Sequence, residues 1–380
     1  MVSTERMKAL MDVTYLCGCA VREEKPDADR IAEMDLEQVY EAANSHLLTA
    51  AAGMALESAG INNERFTQAI LAAQRKNALL DADRAKVLTG LEKAGIWYMP
   101  LKGAILKELY PRYGMRQMAD NDILFDASRA GDVRRIMEGM GFSTERFDQS
   151  NHDVYHKKPV SNFEMHRSLF DEYSWSILEQ YYRGVKDRLI KEDGNQFGYH
   201  FSPEDFYIYI VSHEYKHYSL GGTGIRSLLD TYVYLRKVKM DEGYVASEME
   251  KLGISDYEGT NRQLSLHLFG GESLTGKEQE MLEYIFSSGT YGTMTNHISN
   301  EISQKGRLGY FLSRLSLPMG VMKKVYPILN KAPWLYPVMW LWRLVSRSFT
   351  ATHRVLYQLG ASLGLNREVR QKTKTKKNRK

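Results

Sequence analysis

Apolar residues recur at three- and four-residue spacing through most of the first 95 positions. The runs "DLEQVYEAANSHLLTAAAGMALESAG" (35–60) and "NERFTQAILAAQRKNALLDADRAKVLTGLEKAG" (63–95) carry the period of amphipathic helices. Each stops at a glycine, Gly60 and Gly95, a common helix end. The pattern then changes. "IWYMPLKG" (96–103) is a short β-type run closed by Pro and Gly, and "AILKELY" follows as a helix. "ADNDILF" (119–125) is strand-like, "ASRAGDVRRIMEGMGF" (127–142) helical, and "DVYHKK" and "VSNFEMHRSL" are strand-like again. From Pro203 the helical period returns in "SPEDFYIYIVSHEYKHYSL", "RSLLDTYVYLRKV", "DYEGTNRQLSLHLFG" and "KEQEMLEYIFSSG". The predicted fold is α+β: a small mixed sheet flanked by helical regions. The expected segments are an N-terminal helical region (1–89), a mixed core (90–200), a C-terminal helical domain (201–350) and a helix end with a basic disordered tail (351–380).

The chain has 380 residues, enough for two or three packed units. Its net charge of +4 is not spread evenly. The last fifteen residues, "NREVRQKTKTKKNRK", hold eight Lys or Arg and one Glu, a net +7 that leaves about −3 for the rest. The body is therefore not a basic nucleic-acid-binding surface. Cys17 and Cys19 are too few and too close for a disulfide framework and read as small packing residues. The start lacks the basic flank and apolar run of an export signal. No stretch reaches the roughly 18 apolar residues of a membrane span. A cytoplasmic location is expected. The aromatic "PWLYPVMWLWRLVSRSFTATHRVLYQLG" carries Arg343, Arg347 and Arg354 on a helical period. It reads as a packed helix or, with the basic tail, as a weak contact with an anionic surface such as the inner membrane.

Candidate chemistry centres on Asp120-Asn121-Asp122. On a strand the two aspartates share a face and Asn121 points away. Adjacent carboxylates repel unless a cation lies between them, which suits Mg²⁺; a solvated strand end is the alternative. In "NFEMHRS", Glu164 and His166 share one face, opposite Phe163 and Met165. If that strand neighbours the first, Glu164 completes a three-carboxylate site. His166 would then touch a phosphate, orient Glu164 or merely cap its strand. Lys102-Gly103 at a strand-to-helix turn, with Arg116 four residues before Asp120, suits phosphate binding or ordinary surface charge.

These pieces resemble a known family. "YMPLKGAILKELYPRYGMRQMADNDILF" with the later "FEMH" is similar to the signature of the uncharacterised nucleotidyltransferase family of bacterial proteins, within the polymerase-β-type superfamily. The likeness extends over about residues 35–350. It implies metal-dependent transfer of a nucleoside monophosphate from an NTP donor to an acceptor hydroxyl, releasing pyrophosphate. By the same resemblance Asp120 and Asp122 are ligands of Mg²⁺ (or Mn²⁺), and Glu164 is the third carboxylate. Lys102, Gly103, Arg116 and His166 would face the nucleotide. Two positions depart from the pattern: Lys-Gly-Ala stands where the superfamily often has Gly-Ser, and Asn121 where the family usually has an apolar residue. The acidic body favours a small molecule, glycan precursor or protein as acceptor over nucleic acid. The alternative is a non-catalytic binding module on the same fold.

A third reading comes from His213-Glu214-Tyr215-Lys216-His217, which fits the H-E-x-x-H pattern of zinc peptidases. The further Gly and His of a metzincin are absent: those positions hold Leu220 and Thr223. Both histidines fall on the apolar stripe Phe206, Ile210, His213, His217, Leu220. The family resemblance gives them another use, as walls of the nucleotide pocket.

Overall fold

The computed structural model describes residues 3–171, 176–288 and 319–343. The chain divides into two compact units, Met1–Gln304 and Lys305–Lys380.

The first unit opens with helices α1 (Thr4–Arg22), α2 (Ala28–Ala32), α3 (Leu36–Ser45), α4 (Thr49–Ser58) and α5 (Glu64–Lys93). Their starts follow capping chemistry. The side chains of Ser3, Asp27, Asp35 and Asn63 each accept a backbone N–H that the first turn leaves without a partner. The run at 35–60 is two helices, because the chain turns at His46–Leu48, where Leu47 has φ +56°. Strand β1 (Tyr98–Pro100) leads into α6 (Gly103–Leu106), then β2 (Asn121–Phe125), α7 (Ala130–Gly139), β3 (Ser143–Arg146), β4 (His152–Lys157) and β5 (Ser161–His166). The helix expected over 104–110 is shorter than the pattern suggested, one α turn followed by a 3₁₀ turn at Lys107–Leu109. After α8 (Ser176–Tyr182) and a short hairpin, β6 (Ile190–Lys191) and β7 (Tyr199–His200), come α9 (Pro203–Leu220), α10 (Ile225–Lys237), α11 (Glu242–Leu252), α12 (Ser255–Gly270) and α13 (Gly276–Ser288).

The main sheet has strand order β1-β2-β5-β4-β3, with β2 and β5 parallel and the other pairs antiparallel. The sequence pattern missed β3. "STER" has no apolar alternation because it is an edge strand with mostly exposed side chains. The two sheet faces differ. Ile123, Phe125, Tyr155, Phe163 and Met165 pack with Val87 and Leu91 of α5 and with Val133 and Met137 of α7. Asn121 joins that side: its amide donates to the Leu80 carbonyl at 3.0 Å and its oxygen accepts from Arg84 Nη1 at 3.0 Å. A buried amide between two aspartates thus fastens β2 to α5. Replacing it, Asn121→Ala, removes both of these bonds at a buried position and is expected to cost about 1–3 kcal/mol in urea unfolding. An unchanged midpoint would show that this staple contributes nothing.

Met99, Leu101 and Leu124 belong to the other, larger core, which joins α1, α3 and α4 to α9–α13. Cys17 and Cys19 are buried there or beside it as free thiols.

In the second unit, described residues form helices at Met319–Val325 and Ile328–Lys331, a 3₁₀ turn at Pro333–Leu335 and a helix at 336–343. Trp334 and Trp342 are exposed. Arg347, Arg354 and the basic tail lie outside the described residues. Among the described residues no helix is long and apolar enough to cross a membrane.

Candidate active site

The β2–β5 register sets the site. Asp122 lies directly beside Glu164, and Leu124 beside His166. Side chains alternate across a strand. Since the odd-numbered residues of both strands enter the α5–α7 core, Asp122, Glu164 and His166 emerge together on the opposite face. A cavity of about 370 Å³ opens there, with α9 and α10 as its far walls. All seven residues singled out in the sequence line it: Lys102, Gly103, Arg116, Asp120, Asp122, Glu164 and His166.

Asp122 is the hub. Its Oδ1 accepts from Lys102 Nζ at 2.7 Å and from His166 Nε2 at 2.8 Å. Burial works against its charge, but the Lys102 ammonium and the His166 hydrogen bond outweigh that and hold the carboxyl below the ordinary range. Asp120, just before β2, goes the other way. Burial and the charge of Asp122 push it up to about 7, with Lys102 only partly offsetting them. For His166, burial favours the neutral ring and outweighs its bond to Asp122. With Nε2–H given to Asp122, its buried Nδ1 has no partner among the described residues. Glu164 lies within 3.6 Å of His166 Nε2 and 3.9 Å of His152 Nε2. One ligand atom from each of Asp122, Glu164 and His166 falls within 4.8 Å of the others, the one such group of His, Cys, Asp or Glu among the described residues able to hold a metal ion. The two carboxylates offer oxygen ligands of the kind that hard divalent cations take, whereas the imidazole is a ligand more typical of softer transition metals.

Arg116 is held inside the wall. Its Nε and Nη2 donate to Asp230 of α10 at 2.7 and 2.8 Å, and Tyr110 Oη donates to the same carboxylate at 2.7 Å. Gly103 makes this possible. A Cβ there would lie 2.5 Å from Arg116 Nη1 and 2.8 Å from Met118 Sδ. Asn77 of α5 secures the segment, donating to the Arg116 carbonyl and accepting from Met118 N–H.

Of the H-E-x-x-H residues, His213, Glu214 and His217 all line the cavity, and the two histidine Nε2 atoms lie 3.3 Å apart. Burial and nearby lysines push His217 down to about 4 and His213 well below its ordinary value, so both rings are neutral. Glu214 is buried and bonded weakly by Thr231 and Asn261 at 3.4 Å, with burial and Asp230 favouring its neutral form. No third ligand joins the histidines among the described residues. Among the described residues the zinc-peptidase reading lacks a three-ligand site, and burial favours the neutral form of its Glu214 base.

The model of a family described as uncharacterised nucleotidyltransferase matches residues 32–270. The chain belongs to this family. The chain is also similar to a solved structure, an antigenic nucleotidyltransferase-like protein from Paracoccidioides brasiliensis, at 13% identity and a TM-score of 0.33, covering 50% of this chain and 93% of that one. No curated protein matches it.

Among the further residues that line the cavity without having been singled out for it are His152, Lys216, Arg226 and Asp230. His152 starts β4 opposite His166. The other three sit on helices whose orientation to the sheet has no local signal. Tyr209 is hidden deeper, its buried hydroxyl unpartnered among the described residues and pushed up by burial, with Lys102 and Asp122 in electrostatic reach.

Proposed function

We propose that this nucleotidyltransferase moves a nucleoside monophosphate from an NTP to an acceptor hydroxyl and releases pyrophosphate. The observation that carries this reading is the pairing of Asp122 with Glu164 across parallel strands, inside a cavity whose opposite wall is cationic. Asp120, Asp122 and Glu164 would hold Mg²⁺ or Mn²⁺, which when bound neutralises phosphate charge and activates the attacking hydroxyl. The acceptor oxygen bonds to the α-phosphorus as the bond to the β-bridging oxygen breaks. Glu164, about 29% exposed against 6% for Asp122, would take the acceptor's proton. Lys102 and His166 form the phosphate side, and Gly103 makes room for Arg116 beside them. Arg116 serves it from within the wall, and Lys216 and Arg226 add charge nearby. The segment 90–200 supplies the carboxylates, while α9 and α10 close the cavity. A small molecule, glycan precursor or protein is the favoured acceptor.

Titration calorimetry of the four NTPs, with and without Mg²⁺, tests this without knowing the acceptor. One NTP should bind in a Mg²⁺-dependent way, and Glu164→Gln should weaken that binding. Failure of all four to bind, with or without Mg²⁺, would favour the non-catalytic binding module.

A further inference from the structure

Asp122 Oδ1 already has two partners. Lys102 Nζ and His166 Nε2 both donate to it, so a metal ion that takes this oxygen, and is not held by Oδ2 alone, displaces one of them. His166 is fixed on its strand, 4% exposed, with its backbone paired in the sheet. Lys102 is not fixed in the same way. It sits between β1 and the single turn of α6, on a flexible four-carbon stem, with about 19% of its side chain open to the cavity. Its backbone has φ +45° and ψ −115°, a conformation that a side chain makes unfavourable and that persists only where the surroundings impose it. Such strain clusters at positions that change partners during function.

The charges point the same way. Asp120, Asp122 and Glu164 are faced by Lys102, Lys216 and Arg226 in one cavity. A divalent ion arriving alone would meet three cations in the same cavity and an ammonium on its ligand oxygen. Arriving with a triphosphate, it would bring the anion that the displaced ammonium can follow.

We propose that Lys102 is a resident counter-cation which occupies the metal's place on Asp122 and moves to the triphosphate when nucleotide arrives, making metal and nucleotide binding mutually dependent. This rests on the reading of the cavity as an NTP site and adds to it an order: metal alone binds poorly, and metal with nucleotide binds well. Coupling of this kind is reciprocal, so the nucleotide gains from the metal by the same factor as the metal from the nucleotide.

Mn²⁺ affinity, followed by the paramagnetic resonance of the free ion and corrected by a protein-free control for the Mn²⁺ that the analogue itself binds, reports on this without any turnover. The probes are Mn²⁺ alone and Mn²⁺ with a non-hydrolysable analogue of the NTP found by calorimetry. In the wild type the analogue should tighten Mn²⁺ binding by about tenfold or more. Lys102→Met should bind Mn²⁺ alone about tenfold more tightly than the wild type, and the analogue should then add little. Lys102→Gly, which suits the backbone at this position, should behave like Lys102→Met and guards against a misfolded variant. If both variants bind Mn²⁺ alone no better than the wild type while the wild type still binds Mn²⁺ with the analogue, the counter-cation role is overturned and the nucleotide site stands. If no form binds Mn²⁺ under either condition, both fall.

Discussion

Asp120→Asn should raise the melting temperature of the metal-free protein at pH 8, and Asp122→Asn should lower it, although both should weaken Mg²⁺-dependent NTP binding by about a hundredfold or more. The opposite signs follow from the environments. Asp120 is pushed up to about 7 by burial and by Asp122, so ionising it costs more in the folded protein than in the unfolded chain. That cost is absent below the unfolded value of 3.8, grows as pH rises towards 7 and is complete above it. Each tenfold change in proton affinity between the folded and unfolded chain is worth about 1.4 kcal/mol, so removing the charge should stabilise by a few kcal/mol at pH 8. The gain should fade towards pH 4. Asp122 is held below its ordinary range despite burial, by Lys102 and His166, so its charge contributes stability that is present above the unfolded value and lost as pH falls. Asn at 122 forfeits it and leaves the Lys102 ammonium without its anion. Thermal scans in chelator from pH 4 to 8, with calorimetric NTP binding at pH 8, check both halves. Changes of the same sign would contradict the assigned electrostatics.

The second large effect lies in the wall. Arg116→Met should destabilise the protein by about 3–5 kcal/mol in urea, because it leaves the Asp230 carboxylate buried and uncompensated. Both partners are nearly fully buried, at 7% and 6% side-chain exposure, so solvent offers neither a substitute. Adding Asp230→Leu should restore much of the loss, since an apolar pair avoids the desolvation of either ion. If the double variant is as unstable as the sum of the two single ones, the pair is not the source of the effect.

Much of the architecture was legible because periodicity follows from burial. Helices α3, α10, α11 and α13 each turn an apolar face to the larger core, α5 serves both cores, and β2 and β5 each separate an apolar face from a chemical one. From "NDILF" and "NFEMH" the faces could be read, and their adjacency stated as a condition that the parallel register of Asp122 and Glu164 meets. What was not legible depends on long-range packing. Nothing near Arg116 signals that its guanidinium is committed to Asp230, 114 residues away. Gly103 read as a glycine left open for phosphate, whereas the structure uses its missing side chain to admit Arg116. The exposed "STER" of β3 gave no period at all, since an edge strand need not bury alternate residues.

That last use of Gly103 bears on how such a sequence drifts over generations. Selection for folding alone would retain Gly103, Arg116 and Asp230, because losing any of them disturbs a buried ion pair. A lineage that had abandoned chemistry would thus keep most of its signature, and the signature would say little about turnover. Asp120 is different, since its ionised form burdens the fold. Relieved of any duty to bind metal, it should be among the first of these residues to be replaced, and its survival in a descendant is the more telling mark of a working enzyme.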